Sequence, residues 1–203
     1  MSHGLLTQVV QGRVEAGCDE AGRGCLAGPV VAAAVVLSPE VAQELPLNDS
    51  KKLTAMQRER LRLEIENKAI AWAVAFVGSE KIDEINILQA SFLAMRKAVQ
   101  TLPGLPDHLL IDGNRFVSED GMPGHTCIVK GDAKVASIAA ASILAKTHRD
   151  AFMSKSSEAY PNYGWQTNKG YPTKAHREAI AKWGPTPLHR RSFQWLPEAP
   201  TLF

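Results

Sequence analysis

The twelve residues Val135-Ala136-Ser137-Ile138-Ala139-Ala140-Ala141-Ser142-Ile143-Leu144-Ala145-Lys146 carry no charge until the last. That run predicts a helix apolar all round, which belongs inside a protein, and its alanines and serines let neighbouring backbones come close. A second run, Val30 to Leu37, is also apolar throughout and predicts a strand buried on both faces. Val14 to Asp19 reads as a short strand before it, and the short link favours antiparallel pairing.

Further along, Thr54 is a good N-cap for a helix from Ala55 to about Ala69, and Ala71 to Val77 alternates loosely as a third strand. Arg58, Arg60, Arg62 and Lys68 make that helix basic on one side, which by itself describes a solvated face. Ser79 is expected to cap a short helical turn, ahead of an amphipathic helix from Ile87 to Leu102 that ends at Pro103-Gly104. His108 to Asp112 and Thr126 to Val129 read as further strands, and Thr173 begins a helix to about Trp183.

Two acids followed by a glycine-rich loop, Gly17-Cys18-Asp19-Glu20-Ala21-Gly22-Arg23-Gly24, are the chemically loaded part of the chain. Adjacent carboxylates repel, and a divalent cation is the usual remedy. Gly22 and Gly24 leave the backbone bare beside Arg23, so its N–H groups can approach a sugar or phosphate. A metal site adjoining a polyanion site fits these residues, and so does a solvated Asp-Glu turn with a flexible loop. Asp112 ends an apolar run before Gly113, at a strand end where α/β sheets build sites, although an Asp-Gly turn has the same local pattern. Asp132 stands at the mouth of the apolar helix, where capping would also explain it.

The 203 residues suit one domain, with 45% apolar and 22% charged residues, and 23 Lys and Arg against 21 Asp and Glu give a net charge of only +2. That balance permits nucleic acid without announcing it, because acids gathered into one site leave the remaining surface more basic. Three cysteines without a C-x-x-C pair and no N-terminal signal pattern indicate reduced thiols in a cytoplasmic protein. No apolar run is long enough to span a membrane. Residues 155–193 interleave aromatics with Lys, Arg and His, as expected of a helical extension that contacts nucleic acid. Residues 194–203 read as a loose tail.

Taken in order, G-x-D-E-x-G-R-G, D-S-K-K-L, L-I-D-G-N, G-D-A-K ahead of A-A-A-S-I-L-A-K, and G-Y-P-T-K-x-H resemble the ribonuclease HII family from about Val14 to Phe193. The resemblance implies an α/β, ribonuclease-H-like fold: a mixed five-stranded sheet flanked by helices, with a helical C-terminal extension. It implies endonucleolytic cleavage of RNA in RNA–DNA hybrids, and at ribonucleotides embedded in duplex DNA, leaving 3′-hydroxyl and 5′-phosphate ends. The family's acidic quartet falls on Asp19, Glu20, Asp112 and Asp132, its substrate-reading loop on Gly22, Arg23 and Gly24, and its junction-sensing tyrosine on Tyr171.

The first three acids are the expected ligands of manganese or magnesium, with Asp132 acting through a second metal or a water. Asp19 and Glu20 face opposite ways on an ideal strand, so a kink, or an outer role for Glu20, is expected. Metal-activated water would attack in line, and the 2′-hydroxyl would mark RNA. Ser50, Lys51, Lys52 and Lys169 are candidate substrate contacts. The terminal Ala199-Pro200-Thr201-Leu202-Phe203 looks like peptides that dock on sliding clamps, though the upstream glutamine is missing, and a frayed terminus is the plainer reading. A hybrid-binding module without catalysis would not need four carboxylates. A P-loop hydrolase would need G-x-x-x-x-G-K-[ST], which is absent.

Overall fold

The structure, a computed structural model, describes residues 4–47, 50 and 53–195. Five strands form one sheet in the order β3-β2-β1-β4-β5, with β1 at Glu15–Ala21, β2 at Val30–Val36, β3 at Ala71–Val77, β4 at His108–Asp112 and β5 at Gly124–Ile128. The two pairings β1–β2 and β2–β3 are antiparallel, whereas β1–β4 and β4–β5 are parallel. This is the mixed sheet expected, with strand ends within two residues of expectation. The helices are α1 (Pro39–Glu44), α2 (Ala55–Lys68), α3 (Ser79–Gln100), α4 (Ala136–Ala159), α5 (Trp165–Asn168) and α6 (Lys174–Trp183). Among the described residues none is long and apolar enough to cross a membrane.

Strand β2 is buried along its whole length. Its even-numbered residues Val30, Ala32, Ala34 and Val36 pack with Phe92, Met95 and Val99 of α3, while Ala33 and Val35 pack with α2 and α4. Helix α4 lies directly on β1, because a Cβ on Gly17 would stand 2.2 Å from the Ser137 carbonyl carbon. The glycine and the small-residue stripe together allow that approach, which places the apolar helix against the strand that carries the acids.

Several local expectations need correction. Helix α4 does not stop at Lys146 but runs to Ala159, because Arg149 and Met153 carry its buried face onward. Ser79 does not cap α3: Gly78 holds that position, and the Ser79 hydroxyl donates to the Pro187 carbonyl at 2.9 Å. The break before Ile87 is Asn86, at φ 65°, whose side-chain oxygen accepts the N–H groups of Leu88 and Gln89 at 3.0 and 3.1 Å and restarts the helix. Trp195 is not loose, since its indole N–H donates to the Arg190 carbonyl at 2.7 Å. The rest of the expected tail, from residue 196, lies outside the described residues, as do Lys51 and Lys52.

The C-terminal aromatics are also mostly structural. Tyr163, Trp165, His176, His189 and Arg190 are buried together, leaving Tyr171 and Trp183 exposed. A chain of hydrogen bonds fixes the two imidazoles. The Trp165 indole N–H, a donor only, reaches His176 Nε2 at 3.0 Å, so His176 Nδ1 carries the proton and donates to the Tyr171 carbonyl at 2.9 Å. His189 Nδ1 accepts the Thr186 N–H at 2.9 Å, which leaves its Nε2–H facing His176 Nε2 at 3.2 Å.

Candidate active site

The parallel register of β1 and β4 ends at Cys18 opposite Ile111. The next residue on each strand is an acid, Asp19 and Asp112. Two residues 93 positions apart in the chain thus reach the same carboxyl edge of the sheet, where open α/β sheets place their sites. A cleft at that edge is lined by Asp19, Glu20, Asp112, the Gly22–Gly24 loop, Ser50 and Tyr171. Of the sequence candidates among the described residues, Asp132 and Lys169 do not line it.

The expected kink between the two adjacent acids is absent. Strand β1 keeps its register with β2 through Asp19, Glu20 and Ala21, so the side chains leave on opposite faces. Asp19 points toward α4, where it accepts a hydrogen bond from Ser142, and its Oδ1 accepts the Glu20 N–H at 2.7 Å. Glu20 points toward α3 and lines a second groove with Phe92 and Met95, and its Oε1 pairs with Arg23 Nη1 at 3.2 Å. Asp112 lines both grooves and stands between them.

Asp132 sits in the turn Gly131–Ala133, buried at 6% exposure. It does not cap α4, whose N-cap, Val135, has no side-chain hydrogen bond. Its neighbour Gly131 donates its N–H to Asp112 Oδ1 at 2.7 Å, which ties the turn to the end of β4.

The acids at this edge are electrostatically strained by burial and by one another. Burial, then the carboxylates of Glu20 and Asp112, push the Asp19 carboxyl well above the usual range, against two hydrogen bonds that favour its charge. Burial raises Glu20 as well, opposed by Arg23. Burial and the neighbouring Asp19 push the Cys18 thiol up to about 12, so it stays protonated. Among the described residues no three His, Cys, Asp or Glu side chains form a metal-holding cluster by themselves. A hard cation nevertheless suits this donor set, because magnesium is commonly bound by one or two carboxylates with the shell completed by water and substrate phosphate.

The two glycines of the loop differ. Gly22 has φ +95°, and a Cβ there would stand 2.0 Å from Arg149 Nε, so the fold itself requires it. Gly24 has ordinary backbone angles, and a Cβ there would meet nothing within 4 Å. Among the described residues, nothing within the fold requires glycine at that position, which lies beside the cleft.

Tyr171 stays 39% exposed on the rim, with the Lys146 ammonium 5.2 Å from its ring centre. Lys169 stands outside the cleft, in an adjoining groove with Arg58 and Asp150, and its ammonium is engaged by Ser154 and the Gln166 carbonyl. Sequence reasoning missed Ser142, Lys146 and Arg58, all of which line the cleft. The four-residue spacing of Ser142 and Lys146 puts both on one helix face, a signal that was present in the sequence. Arg58, counted with a solvated face, instead turns back to donate to the Ser50 and Leu53 carbonyls at 3.0 and 2.6 Å.

Comparison with known proteins finds relatives over nearly the whole chain. A family model described as Ribonuclease HII matches residues 16–196. The Parabacteroides distasonis ribonuclease HII is 60% identical over 98% of this chain and 98% of its own. That of Bacteroides thetaiotaomicron is 60% identical over 95% of each chain. Among solved structures, the ribonuclease HII of Archaeoglobus fulgidus, in a complex with PCNA, superposes with a TM-score of 0.76 at 26% identity, covering 94% of this chain and all of that one. A manganese-bound ribonuclease HIII, at 20% identity and a TM-score of 0.73 over 90% of this chain and 67% of its own, shares the fold.

Proposed function

The chain belongs to the ribonuclease HII family, endonucleases that cut the RNA of RNA–DNA hybrids, and on that premise we propose which of its residues do the work. The observation that carries the assignment is the alignment of Asp19 and Asp112 one residue beyond the Cys18–Ile111 pair, with Glu20 beside them. Asp19 and Asp112 would hold a divalent cation, manganese or magnesium, with Glu20 in an outer role from the other face of β1. Once bound, the cation polarises the phosphodiester and activates a water for attack on it. Asp112 is kept in place by the Gly131 N–H. Asp132, one residue further on, acts through a second cation or a water.

Substrate is held by groups around that centre. The Gly22–Gly24 loop reads the ribose 2′-hydroxyl, the group that distinguishes RNA from DNA at a single position. Tyr171 lies against the sugar downstream of the cut, and Ser50 and Lys146 meet the backbone. Ribonucleotides embedded in duplex DNA are then substrates alongside longer hybrids, and the products end in 3′-hydroxyl and 5′-phosphate. Lys169, engaged by Ser154 and Gln166, contributes from the neighbouring groove. A sliding clamp is a further proposed partner, through Ala199 to Phe203. Deleting Thr201 to Phe203 should abolish clamp capture without altering cleavage, and retained capture would remove that proposal.

The direct test uses labelled duplexes carrying one ribonucleotide, four, or none, with and without manganese. Cutting of the first two only, and only with metal, is the expected outcome. Binding without metal-dependent cutting would instead make this chain a hybrid-binding module.

A further inference from the structure

Two arginines are buried beneath the loop that follows β1, both at 0% exposure. Arg190 donates from Nη2 to the Gly22 carbonyl at 2.7 Å and from Nη1 to the Arg23 carbonyl at 2.8 Å, while Nε and Nη2 reach the Gly28 carbonyl at 3.0 and 2.9 Å. Arg149 takes the next stretch, with Nη2 on the Ala27 carbonyl and Nε on the Pro29 carbonyl, both at 3.0 Å. Its remaining arm, Nη1, holds the Lys169 carbonyl at 2.9 Å, two residues before Tyr171. The Leu26 N–H donates to the Gly170 carbonyl at 2.8 Å and completes the frame.

The consequence lies on the opposite face of each peptide. In a planar trans peptide the C=O and N–H point in opposite directions. With the Gly22 and Arg23 carbonyls drawn inward to Arg190, the N–H groups of Arg23 and Gly24 are turned away from it. Among the described residues neither N–H has an internal acceptor. Arg23 and Gly24 both line the cleft, and the space next to Gly24 is open. The loop therefore presents two unspent donors side by side, fixed from behind.

We propose that Arg190, supported by Arg149, is a positioning residue for substrate selection: it orients the Arg23 and Gly24 N–H groups toward the 2′-hydroxyl oxygen of the ribose. The inference rests on the reading of this loop as the ribose-sensing element, and adds what sets its direction. A lysine could not replace Arg190, because one point charge cannot hold three carbonyls in the fixed geometry of a guanidinium.

The test compares wild type with Arg190→Lys by fluorescence anisotropy in chelator, so that no cutting occurs. Two duplexes of one sequence are used, one with a single central ribonucleotide and one all DNA, and the readout is the ratio of their affinities. The variant is expected to lose about tenfold of that ratio, the equivalent of roughly one peptide hydrogen bond, with all-DNA affinity little changed. A general loss of structure would weaken both duplexes together and leave the ratio intact. A wild-type preference that survives in the variant overturns the role of Arg190 alone. A wild type without preference overturns the ribose-sensing reading and this inference with it. Should the variant not fold, amide hydrogen exchange on wild type decides. Fast exchange at Arg23 and Gly24, slowed by the ribonucleotide duplex and not by the all-DNA one, supports the proposal. Protection of both amides in the free protein rejects it.

Discussion

Oδ1 of Asp19 accepts the backbone N–H of Glu20, its neighbour in the chain, at 2.7 Å. That bond favours the charged acid, yet burial and the carboxylates of Glu20 and Asp112 outweigh it and raise the Asp19 pKa. For an acid raised on folding, stability is fully present below the unfolded value and is lost as pH rises through the folded one. The metal-free protein should therefore lose stability toward neutral pH on this account, and Asp19→Asn should remove the loss. In chelator at neutral pH the variant is predicted to melt a few degrees above wild type, since ~1 kcal/mol corresponds to roughly 2–4 °C at this size. Manganese should raise the wild-type melting temperature and not the variant's. Cleavage by Asp19→Asn, and by Asp112→Asn, should fall at least ~100-fold. Near-normal cleavage at saturating manganese would sink the assignment.

The loop glycines should separate by experiment. Gly22→Ala forces a side chain onto Arg149 at positive φ and should cost about 1–3 kcal/mol of stability. Gly24→Ala should change stability by less than ~0.5 kcal/mol while lowering kcat/KM on hybrids sharply. Melting curves and steady-state rates on the same preparations check both. Equal melting temperatures for the two variants would contradict the division of roles.

Lys146 pairs with Asp150 at 2.9 Å and still lines the cleft. Lys146→Ala should weaken binding to hybrid and all-DNA duplexes alike and reduce the salt slope by about 1, the mark of one lost phosphate contact. A salt titration of binding affinity reads this directly. An unchanged slope would return Lys146 to an ordinary i,i+4 ion pair.

Tyr171 keeps 39% of its surface exposed and takes no part in the apolar clusters around it. Tyr171→Phe should retain most activity. Tyr171→Ala should change the ratio of cutting at a single ribonucleotide to cutting of an all-RNA strand, by the ~1–3 kcal/mol of a stacking contact, with little change in melting temperature. A lowered melting temperature with an unaltered ratio would make it a packing residue.

His189 is buried beside His176, and burial, followed by that neighbour, lowers its pKa to about 4. For a base depressed on folding, stability is present above the unfolded value and is lost as pH falls toward the folded one. Stability should accordingly drop between about pH 6.5 and pH 4, and His189→Gln should flatten that limb while lowering stability at neutral pH. Denaturant unfolding across this pH range measures it, and an identical slope in the variant would exclude His189 as the source.

Much of this molecule was legible in the chain. The apolar run at Val30 to Val36 and the uncharged small-residue run at Val135 to Ala145 point to the interior, and both are buried. Thr54 and Thr173 start their helices because each threonine oxygen satisfies the N–H three residues on, a local matter. The motif acids and the glycine loop stand out in the chain for the same reason: their chemistry is written in neighbouring residues. Where local signals stopped, the reading failed. The apolar run stops at Lys146, but the burial of Arg149, which depends on carbonyls more than a hundred positions away, carries α4 onward.

Tertiary structure decided everything that depends on which segments meet. Asp19 and Asp112 converge because β1 and β4 pair in parallel with one particular register, and no property of either strand states its partner's register. Glu20 stays on the far face because β1 continues through the acids without a kink. The aromatic and basic stretch after Tyr160 has the composition of a nucleic-acid surface, yet Tyr163, Trp165, His176, His189 and Arg190 are buried in it, since composition carries no information about which side of a ring faces solvent. Arg190 shows the limit most plainly. Its sequence neighbours mark it as one of a basic pair, and only the folded chain puts its guanidinium under the Gly22 and Arg23 carbonyls, 168 and 167 residues away. Burial and hydrogen-bond direction are properties of a packed assembly, so they are fixed when the layers close and not before.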